Sequence, residues 1–500
     1  MRLKSWAVGL CLLAVVLAAV PASHAIPAFS RQYGTSCSTC HVDFPKLNDF
    51  GKAFKDAGFK FPKDDETFMK IPPVMLGAPA QRDMWPHTIF PGTIPGAIPI
   101  GLRFNTFFQV YGQNRNNFLA GSTGPFIPKT DFQPGLFSIF TAGNFGDGIA
   151  FWVDDDFSVG GQNGAGGLGD GYLKFVNIGR LFKLPTDSLN LRIGQFEIDL
   201  PFSQARSWNL SGWDIYDQAN FGAMNGANPQ NVSNTFAFSA PGQGVEISGG
   251  HTYGGYHYSL AVLNQNTSGT AAAGDGVSPA VGIFSDSNFK DLYGRFQYRF
   301  NLERDPASRN EIQAAGATGP RDHTYLQLGG YYFYGRSVQR FNGESGVITA
   351  REPFYRTGGD FSFNYRTFNL FGLYMYGHDM NLLQNEAGTG FFSGVPAHFN
   401  GGFLEGDYLA LPWLMTILRY DRVQSTADFI NGQGSTNYFS PAGATRNRVT
   451  PGVQFLIHAN IKASFEYQIR PQQQVFDGNG NAVNSPFRTN QAVAGLEWVY

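Results

Sequence analysis

Hydrophobic and polar residues alternate along many short stretches of this chain. In residues 461–470 the apolar side chains occupy every second position, and polar or charged side chains fill the positions between them. The same alternation runs through residues 102–111 and 291–300. A period of two is typical of a β-strand with one apolar and one polar face, and about ten residues cross an outer membrane when the strand is tilted. These stretches predict an all-β transmembrane barrel.

About sixteen stretches follow this pattern, and an even number fits a bacterial barrel whose two chain ends lie on the same side. The alternation breaks at Gly194, where we expect a β-bulge. The predicted strands are centred near residues 105, 140, 153, 174, 193, 248, 260, 296, 329, 360, 373, 403, 417, 452, 465 and 494.

The connections between the predicted strands alternate in length, as they do in barrels with short periplasmic turns and long extracellular loops. The short turns are NFGDGIA, TYGGY, YRTFN, YLALPW and IHANI, and the long connections lie around 113–135, 199–243, 265–289, 379–396, 424–445 and 471–487. The exception is 301–322, which is long where a short turn is expected, and we interpret it as a periplasmic docking element.

The last residues, AVAGLEWVY, alternate up to a terminal aromatic residue, as in a last strand that directs insertion into a bacterial outer membrane. The alternative is a soluble β-sandwich, which would place its apolar faces inside and would have less use for aromatic residues at strand ends. The barrel is the better prediction, with an outer-membrane location and both chain ends in the periplasm.

The composition agrees with a closed sheet. Gly is 62, Phe 47 and Tyr 22, and only 15% of residues are charged, compared with about 25% in soluble globular proteins. The net charge of −2 argues against a nucleic-acid partner, because phosphate binding needs a basic face.

The first 25 residues predict a secretory signal peptide that is cleaved after Ala25. Arg2 and Lys4 precede an apolar run that is shorter than the roughly 20 residues of a spanning helix. Cys11 would leave with this segment. The mature chain then keeps Cys37 and Cys40, which do not make a disulfide scaffold.

The segment Cys37-Ser38-Thr39-Cys40-His41 has the spacing of a covalent c-type haem attachment site. Two thiols reach the two vinyl groups, and the adjacent imidazole is placed to coordinate the iron from the proximal side. A redox dithiol would need a βαβ context, and a zinc site would need two further ligands, and the sequence offers neither. We therefore expect one haem c on Cys37 and Cys40, with His41 as the proximal ligand.

A short helix is expected after the motif, from about Pro45 to Ala57, with Asp43 as its N-cap and Gly58 at its end. Gly51 is costly in a helix interior, and a flat ring lying against it is one explanation. The distal iron ligand is less defined. Met75 is preferred, because the prolines before it keep the chain extended, and the alternatives are Met69, Met84 and His87.

With these residues in view, the chain resembles the fused monohaem cytochrome-porins, the outer-membrane cytochromes of iron-oxidising bacteria. The resemblance rests on the haem motif and on residues around it, while the remainder matches only in architecture. The chain would then divide into a signal peptide (1–25), a monohaem cytochrome c domain (26–96) and a porin-like barrel (97–500), and the resemblance implies that the haem domain plugs the lumen. The residues that carry it are Phe29, Arg31, Gln32, Gly34, Pro45, Leu47, Phe50, Gly51, Phe54, Lys55 and Gly58.

The resemblance implies an electron conduit that oxidises extracellular Fe(II) at the haem and passes electrons to a periplasmic c-type cytochrome, with outward electron transfer as a variant. A donor site would be sought among rim carboxylates, because iron accepts oxygen ligands. The candidates are Asp154, Asp155, Asp156, Asp199, Asp214 and Asp217.

The alternative function is a solute-diffusion porin in which the haem domain is a gate or plug. Arginines that face the lumen would then set a preference for anions, and the candidates are Arg103, Arg295 and Arg299. No acid–base pair or activated nucleophile stands out, so the sequence does not predict hydrolytic chemistry.

Overall fold

A computed structural model gives the fold of most of the chain. The predicted signal peptide, the candidate ligand His87 and most of the connection 301–322 lie outside the described residues. The structure describes residues 28–85, 90–111, 129–146, 148–158, 167–221, 238–239, 241–264, 289–302, 324–343, 346–380, 383–386, 390–393, 397–425, 445–470, 475–476, 482–483 and 490–500.

Sixteen antiparallel strands form a closed barrel in which the last strand pairs with the first. Each of the sixteen predicted centres lies within one of them, so the predicted fold class is confirmed. The barrel strands are β1 Ile100–Tyr111, β2 Lys129–Asn144, β3 Ile149–Ser158, β4 Gly167–Phe175, β5 Asn190–Phe196, β6 Gly242–Gly250, β7 Gly255–Leu263, β8 Asp291–Asn301, β9 Tyr325–Gly343, β10 Gly346–Tyr365, β11 Phe368–Asp379, β12 Ala397–Leu411, β13 Leu414–Ser425, β14 Thr445–His458, β15 Ile461–Gln468 and β16 Gln491–Val499.

The wall of the barrel is apolar outside and polar inside. In β8 the outward side chains of Leu292 and Phe296 are 49% and 56% exposed, whereas the inward Arg295 and Arg299 are 4% and 2% exposed. Strand β15 repeats this arrangement. A soluble protein would bury the apolar set, so the polarity of the wall is that of a barrel surrounded by lipid.

The two ends of the barrel differ in the length of their connections. Five tight turns, those predicted from the sequence, join β2 to β3, β6 to β7, β10 to β11, β12 to β13 and β14 to β15. We call this the short-turn end, and both β1 and β16 have their terminal ends there. At the other end most connections are long, but β9 and β10, with 19 and 20 residues, meet in a tight hairpin.

The bulge predicted at Gly194 is wrong. The register of β5 with β4 and with β6 runs through Gly194 without a shift. Gly194 has a φ of +139°, and a Cβ there would lie 2.3 Å from the carbonyl oxygen of Gly171. The break in alternation reflects a close approach of two strands rather than an extra residue.

The residues before β1 fold into short helices and hairpins. The helices are α1 Ala28–Tyr33, α2 Asp49–Asp56, α3 Asp65–Phe68 and α4 Pro79–Met84, with a 3₁₀ turn at Cys37–Thr39. Two small hairpins pair His41–Asp43 with Lys46–Leu47 and Val74–Met75 with Thr93–Ile94. We call residues 28–70 the plug, because they lie inside the short-turn end of the barrel.

Helix α2 starts later than predicted. Residues 41–47 form the first small hairpin, so Pro45 lies in its turn, and Asn48 rather than Asp43 caps the helix by accepting a hydrogen bond from the Gly51 amide. The predicted end is confirmed: Gly58 has a φ of +78° directly after the last turn.

A second segment enters the lumen from the connection between β5 and β6. Residues 197–221, which we call the inserted segment, include helix α5 Asp214–Phe221 and bury Trp208, Trp213 and Tyr216. The described first part of the predicted long loop is therefore folded inside the barrel rather than outside it. Among the described residues, no helix is long and apolar enough to cross a membrane.

Candidate functional site

The Cys-Ser-Thr-Cys-His segment forms one tight turn on the plug. The amide of Cys40 donates to the carbonyl of Cys37 at 3.2 Å, and the hydroxyls of Thr35 and Thr39 are 2.6 Å apart. Cys37 and Cys40 are half-buried and carry free thiols. The turn therefore presents two unpaired sulfurs one turn apart.

Asn48 holds this turn against helix α2. Its side-chain amide donates to the carbonyls of Ser38 and Thr39 at 3.2 and 3.0 Å, and its backbone amide donates to the carbonyl of Cys40 at 2.9 Å. A Cβ at Gly51 would lie 2.1 Å from the same carbonyl oxygen. The glycine is therefore required by the Cys40 backbone, so the expectation that a flat ring lies against it is not needed.

The surroundings of the two thiols favour the protonated form. Burial raises the pKa of the Cys40 thiol to about 12 and also raises the pKa of Cys37. A redox dithiol needs a lowered pKa, so this environment argues against that alternative. The described residues also contain no group of three or more His, Cys, Asp or Glu side chains that could hold a metal ion, which argues against a zinc site.

His41 fits the role of an iron ligand. Burial lowers the pKa of its imidazole to about 4, so the ring is neutral at neutral pH, the form that binds metals. Its buried Nδ1 has no hydrogen-bond partner among the described residues. Two free thiols one turn apart, followed by a neutral and under-bonded imidazole, are a donor set that fits a covalent haem.

The candidate distal ligands occupy different surroundings. Met69 packs against the same apolar cluster as Cys40, whereas Met75 is half-buried in the second small hairpin and Met84 is 66% exposed. The cluster is formed by Tyr33, Phe50, Phe54, Phe59, Phe61, Ala142 and Ala150. Packing therefore favours Met69, although the sequence favoured Met75.

Aromatic side chains join the plug to the wall. Phe59 lies 5.7 Å from the ring of Trp152 on β3, and Tyr33 stacks on Phe61 at 4.3 Å within the plug. The carbonyl of Phe59 accepts a hydrogen bond from Asn144 at the end of β2. One side of the plug is thus an apolar contact with β2 and β3.

Ionic contacts hold the other sides. The Arg299 guanidinium on β8 donates two hydrogen bonds to the Asp49 carboxylate, at 2.7 and 2.6 Å, and Lys52 pairs with Asp49 at 3.1 Å. Burial alone would raise the pKa of Asp49, but Lys52 and Arg299 outweigh it and hold the pKa well below its usual range. Asp49 is therefore ionised at neutral pH and ties helix α2 to the wall.

Further contacts come from β11, β12 and β15. Lys46 donates to Asn369 at 3.0 Å and pairs with Asp407 at 3.5 Å, and Lys462 donates to the carbonyl of Phe44 at 2.7 Å. Strands β3, β8, β12 and β15 lie around the whole circumference. The plug is therefore enclosed by the barrel.

The inserted segment meets the plug inside the lumen. The indole of Trp208 donates to the carbonyl of Asp43 at 3.0 Å, and its ring lies 4.2 Å from the ammonium of Lys46. Farther along, the indole of Trp213 donates to Glu405 at 2.9 Å, and Asp214 pairs with Arg470 at 2.8 Å. These partners are far apart in sequence, so no local pattern could have predicted the inserted segment.

The candidate carboxylates do not form a donor site. Asp154 and Asp156 point into the barrel and Asp155 points outward, because neighbouring residues of a strand face opposite sides. Asp199 contacts His257 at 3.1 Å, and Asp214 forms ion pairs within the lumen. Asp217 lies on helix α5 with Asp214, and none of the six acids belongs to a group of three or more described side chains that could hold a metal.

The three candidate arginines face the lumen, as expected, but each has a carboxylate partner. Arg103 pairs with Glu497, Arg295 with Asp360 at 2.9 Å, and Arg299 with Asp49. Their charge is compensated, so these three do not give the lumen an excess of positive charge.

No protein-family model matches the chain, and no curated protein matches it. Among solved structures, the outer membrane channel DcaP of Acinetobacter baumannii is 12% identical, with a TM-score of 0.44 and coverage of 81% of this chain and 97% of that one. An anion-selective porin from Comamonas acidovorans is 12% identical, with a TM-score of 0.45 and coverage of 80% and 98%. Similarity this low carries no functional argument, so the function is argued from the geometry.

Proposed function

We propose that the protein is an outer-membrane electron conduit with one c-type haem on its plug. The observation that carries the proposal is the placement of the Cys-Ser-Thr-Cys-His turn: the segment that fits a covalent haem lies on a plug enclosed by a lipid-type barrel. A haem carried there would be held within the thickness of the wall instead of diffusing in solution.

The membrane location is supported by the outer surface. Its apolar belt ends at the short-turn end in a ring of exposed aromatic residues, an arrangement typical of the membrane–water interface. The ring contains Tyr256, Tyr298, Tyr365, Tyr408, Trp413 and Tyr500. We assign the short-turn end, with both chain ends, to the periplasm, because short turns face that side in bacterial barrels.

Cys37 and Cys40 would hold the haem covalently and His41 would bind the iron, with Met69 proposed as the distal ligand on the basis of its packing. When bound, the haem supplies a one-electron carrier. The chain's own part is to fix the attachment turn through Asn48 and to fix the plug through Asp49, Lys46 and Phe44.

The donor and the acceptor are proposed from the resemblance to fused cytochrome-porins. Each extracellular Fe(II) would lose one electron and become Fe(III), and the electron would leave at the short-turn end to a periplasmic c-type cytochrome. Because the described carboxylates do not converge on a metal site, we propose that Fe(II) reacts without a dedicated acidic site among Asp154, Asp155, Asp156, Asp199, Asp214 and Asp217.

A second candidate is a solute porin with the haem domain as plug. The observation that favours it is the wall itself, a sixteen-stranded barrel with an inward-facing polar surface, which is the architecture of a diffusion channel. The contact between Trp208 and Asp43 weighs against it, because the plug and the inserted segment meet within the lumen.

The test uses the purified full-length protein in detergent and in liposomes, with Cys37→Ser/Cys40→Ser as the matched control. The conduit predicts porphyrin that resists acid–acetone extraction in the wild type alone, and rapid appearance of the reduced haem spectrum after anaerobic addition of Fe(II). A covalent haem that does not respond to Fe(II), in a protein that passes solutes into liposomes, would instead favour the porin, and extractable porphyrin would contradict both candidates.

A further inference from the structure

The connection between β4 and β5 carries exposed apolar side chains at the short-turn end. It contains a 3₁₀ turn, Ile178–Phe182, and the side chains of Leu181 and Phe182 are 82% and 66% exposed. Leu184, two residues later, is 44% exposed. Three large apolar residues thus project together from one connection.

This connection is pinned to its surroundings by hydrogen bonds. The amide of Gly250 donates to the carbonyl of Asp187 at 2.8 Å, and the amide of Asn177 donates to the side chain of Asn190 at 2.9 Å. The hydroxyl of Tyr258 donates to the carbonyl of Ser188 at 2.8 Å. The apolar side chains therefore belong to an ordered segment.

The contact with Tyr258 also shows on which side of the wall the connection lies. In β7 the neighbours of Tyr258, His257 and Ser259, are buried on the inner face, so alternation places Tyr258 on the outer face. A backbone carbonyl that accepts from Tyr258 must lie on the outer side as well. The connection follows the outer surface of the barrel.

The apolar belt of the wall leads directly into this connection. Leu173 on β4 and Ile193 on β5 point outward and are 40% and 44% exposed. Leu181 and Phe182 lie between these two strands in the chain, beyond their short-turn ends. The exposed patch is therefore an extension of the lipid-facing surface toward the headgroups.

Two cations accompany the apolar residues. Arg180 and Lys183 are exposed and form no ion pair with a carboxylate in the described part of the chain. Apolar side chains next to long basic ones are the composition of a segment that lies in a membrane interface, with the charged heads at the level of the phosphates.

We propose that residues 178–184 form a lipid-binding foot, in which Leu181, Phe182 and Leu184 enter the adjoining leaflet and Arg180 and Lys183 bind anionic phospholipid headgroups. The continuity with the lipid-facing belt favours a lipid surface over a protein partner. The proposal depends on the membrane location of the barrel and is independent of haem, iron and electron transfer.

Photo-crosslinking identifies the occupant of the patch. Phe182 is replaced by p-benzoylphenylalanine, the full-length protein is irradiated in outer-membrane vesicles, and adducts are identified by mass spectrometry. The foot predicts phospholipid adducts. The same probe placed at the belt position Leu292 is the control for its reactivity with lipid. Adducts with another protein at position 182, or no adducts there when the probe at position 292 does react, would overturn the proposal.

A second measurement addresses the headgroups. Wild type, Arg180→Gln/Lys183→Gln and the control Lys63→Gln, which changes an exposed plug residue, are reconstituted in phosphatidylcholine with or without phosphatidylglycerol. Phosphatidylglycerol should raise the unfolding temperature of wild type and of the control by about 2 °C, and this rise should be lost in the double variant. An equal rise in all three proteins would show that these two cations do not bind the headgroups.

Discussion

At the scale of single residues, the absence of a Cβ atom at Gly51 allows helix α2 to lie close to the haem-type turn. Gly51 lies against the carbonyl of Cys40, and Asn48 bonds the same turn from the start of the helix. The sequence marked Gly51 as unusual but suggested the wrong neighbour, because a glycine shows that something approaches closely without showing what it is.

Gly51→Ala should therefore loosen the attachment turn. The new Cβ would lie 2.1 Å from a backbone oxygen that cannot move without breaking its hydrogen bond to Asn48, so we expect a loss of about 1–3 kcal/mol of plug stability. The yield of covalently bound haem per barrel should fall. Gly330→Ala is the control, since its Cβ would meet only an ordinary contact at 3.6 Å. Equal haem yields in the two variants would contradict this account.

Asp49 should make the seating of the plug sensitive to acid. Its pKa is lower in the folded protein than in the unfolded chain, so its stabilisation is fully present above the unfolded pKa, near 4, and is lost as pH falls through the folded value. Asp49→Asn leaves Arg299 buried without its carboxylate and should cost about 3–5 kcal/mol at pH 7.

Protease cleavage of the plug in detergent, measured between pH 7 and pH 3, would show both effects. The wild-type plug should become more susceptible only at the acid end, whereas Asp49→Asn should be susceptible throughout. Asp83→Asn, at an exposed site on helix α4, should behave as wild type. A plug that stays protected in Asp49→Asn would show that the ion pair does not hold it.

At the scale of secondary structure, the sequence predicts the strands of the wall but not the segments that fill the lumen. Each wall strand carries its own signal, because lipid outside and polar contacts inside impose a period of two over about ten residues. Helix α2 was placed too early because Pro45 is compatible both with a first helical turn and with the hairpin that the structure forms. The inserted segment depends on Glu405, Glu466 and Arg470, which lie 196 to 256 residues farther along the chain.

The residues of the haem-type site divide in the same way. Cys37, Cys40 and His41 are adjacent in sequence, so a local motif suffices to predict them, and their role as haem ligands stays a prediction. The three adjacent carboxylates at 154–156 failed as a cluster because alternation along β3 separates them. The choice between Met69 and Met75 depends on which of them packs against the apolar cluster of the plug, which the sequence does not encode locally.

Trp208 joins the inserted segment to the plug through a hydrogen bond to the carbonyl of Asp43. Trp208→Ala removes the hydrogen bond to Asp43, the contact with Lys46 and the packing on Met415 and Ile417, and we expect a loss of about 3–5 kcal/mol. Amide hydrogen exchange in the hairpin 41–47 should increase while the barrel strands stay protected. Trp85→Ala, at an exposed position, is the control. If Trp208→Ala increased exchange throughout the barrel, the substitution would have caused a general loss of fold.

At the scale of the whole molecule, the plug and the barrel form one structure whose parts stabilise each other. The plug contacts inward-facing side chains from opposite sides of the wall, and the inserted segment contacts the plug from the other direction. A domain tethered only by a linker would leave the lumen free to open. The ionic contacts indicate instead that the seated plug stabilises the wall, although part of the plug can open locally.

The closing seam of the barrel gives the sharpest test of this coupling. Strands β1 and β16 meet there, and the backbones of Leu102 and Tyr500 bond to each other at 2.8 Å. Arg31 of the plug donates to the carbonyl of Ile100 at 2.7 Å and lies 5.5 Å from the ring of Tyr500, so one plug side chain contacts both edges of the seam.

A hydrogen bond and a cation–π contact at a partly exposed site contribute about 1 kcal/mol. Arg31→Gln should therefore raise the rate of thermal unfolding of the barrel about 2- to 10-fold, measured by the heat-dependent mobility shift on gels, while Lys63→Gln should leave it unchanged. If Arg31→Gln released the plug to protease without changing the unfolding rate of the barrel, the plug would not stabilise the barrel, and the seam would close without it.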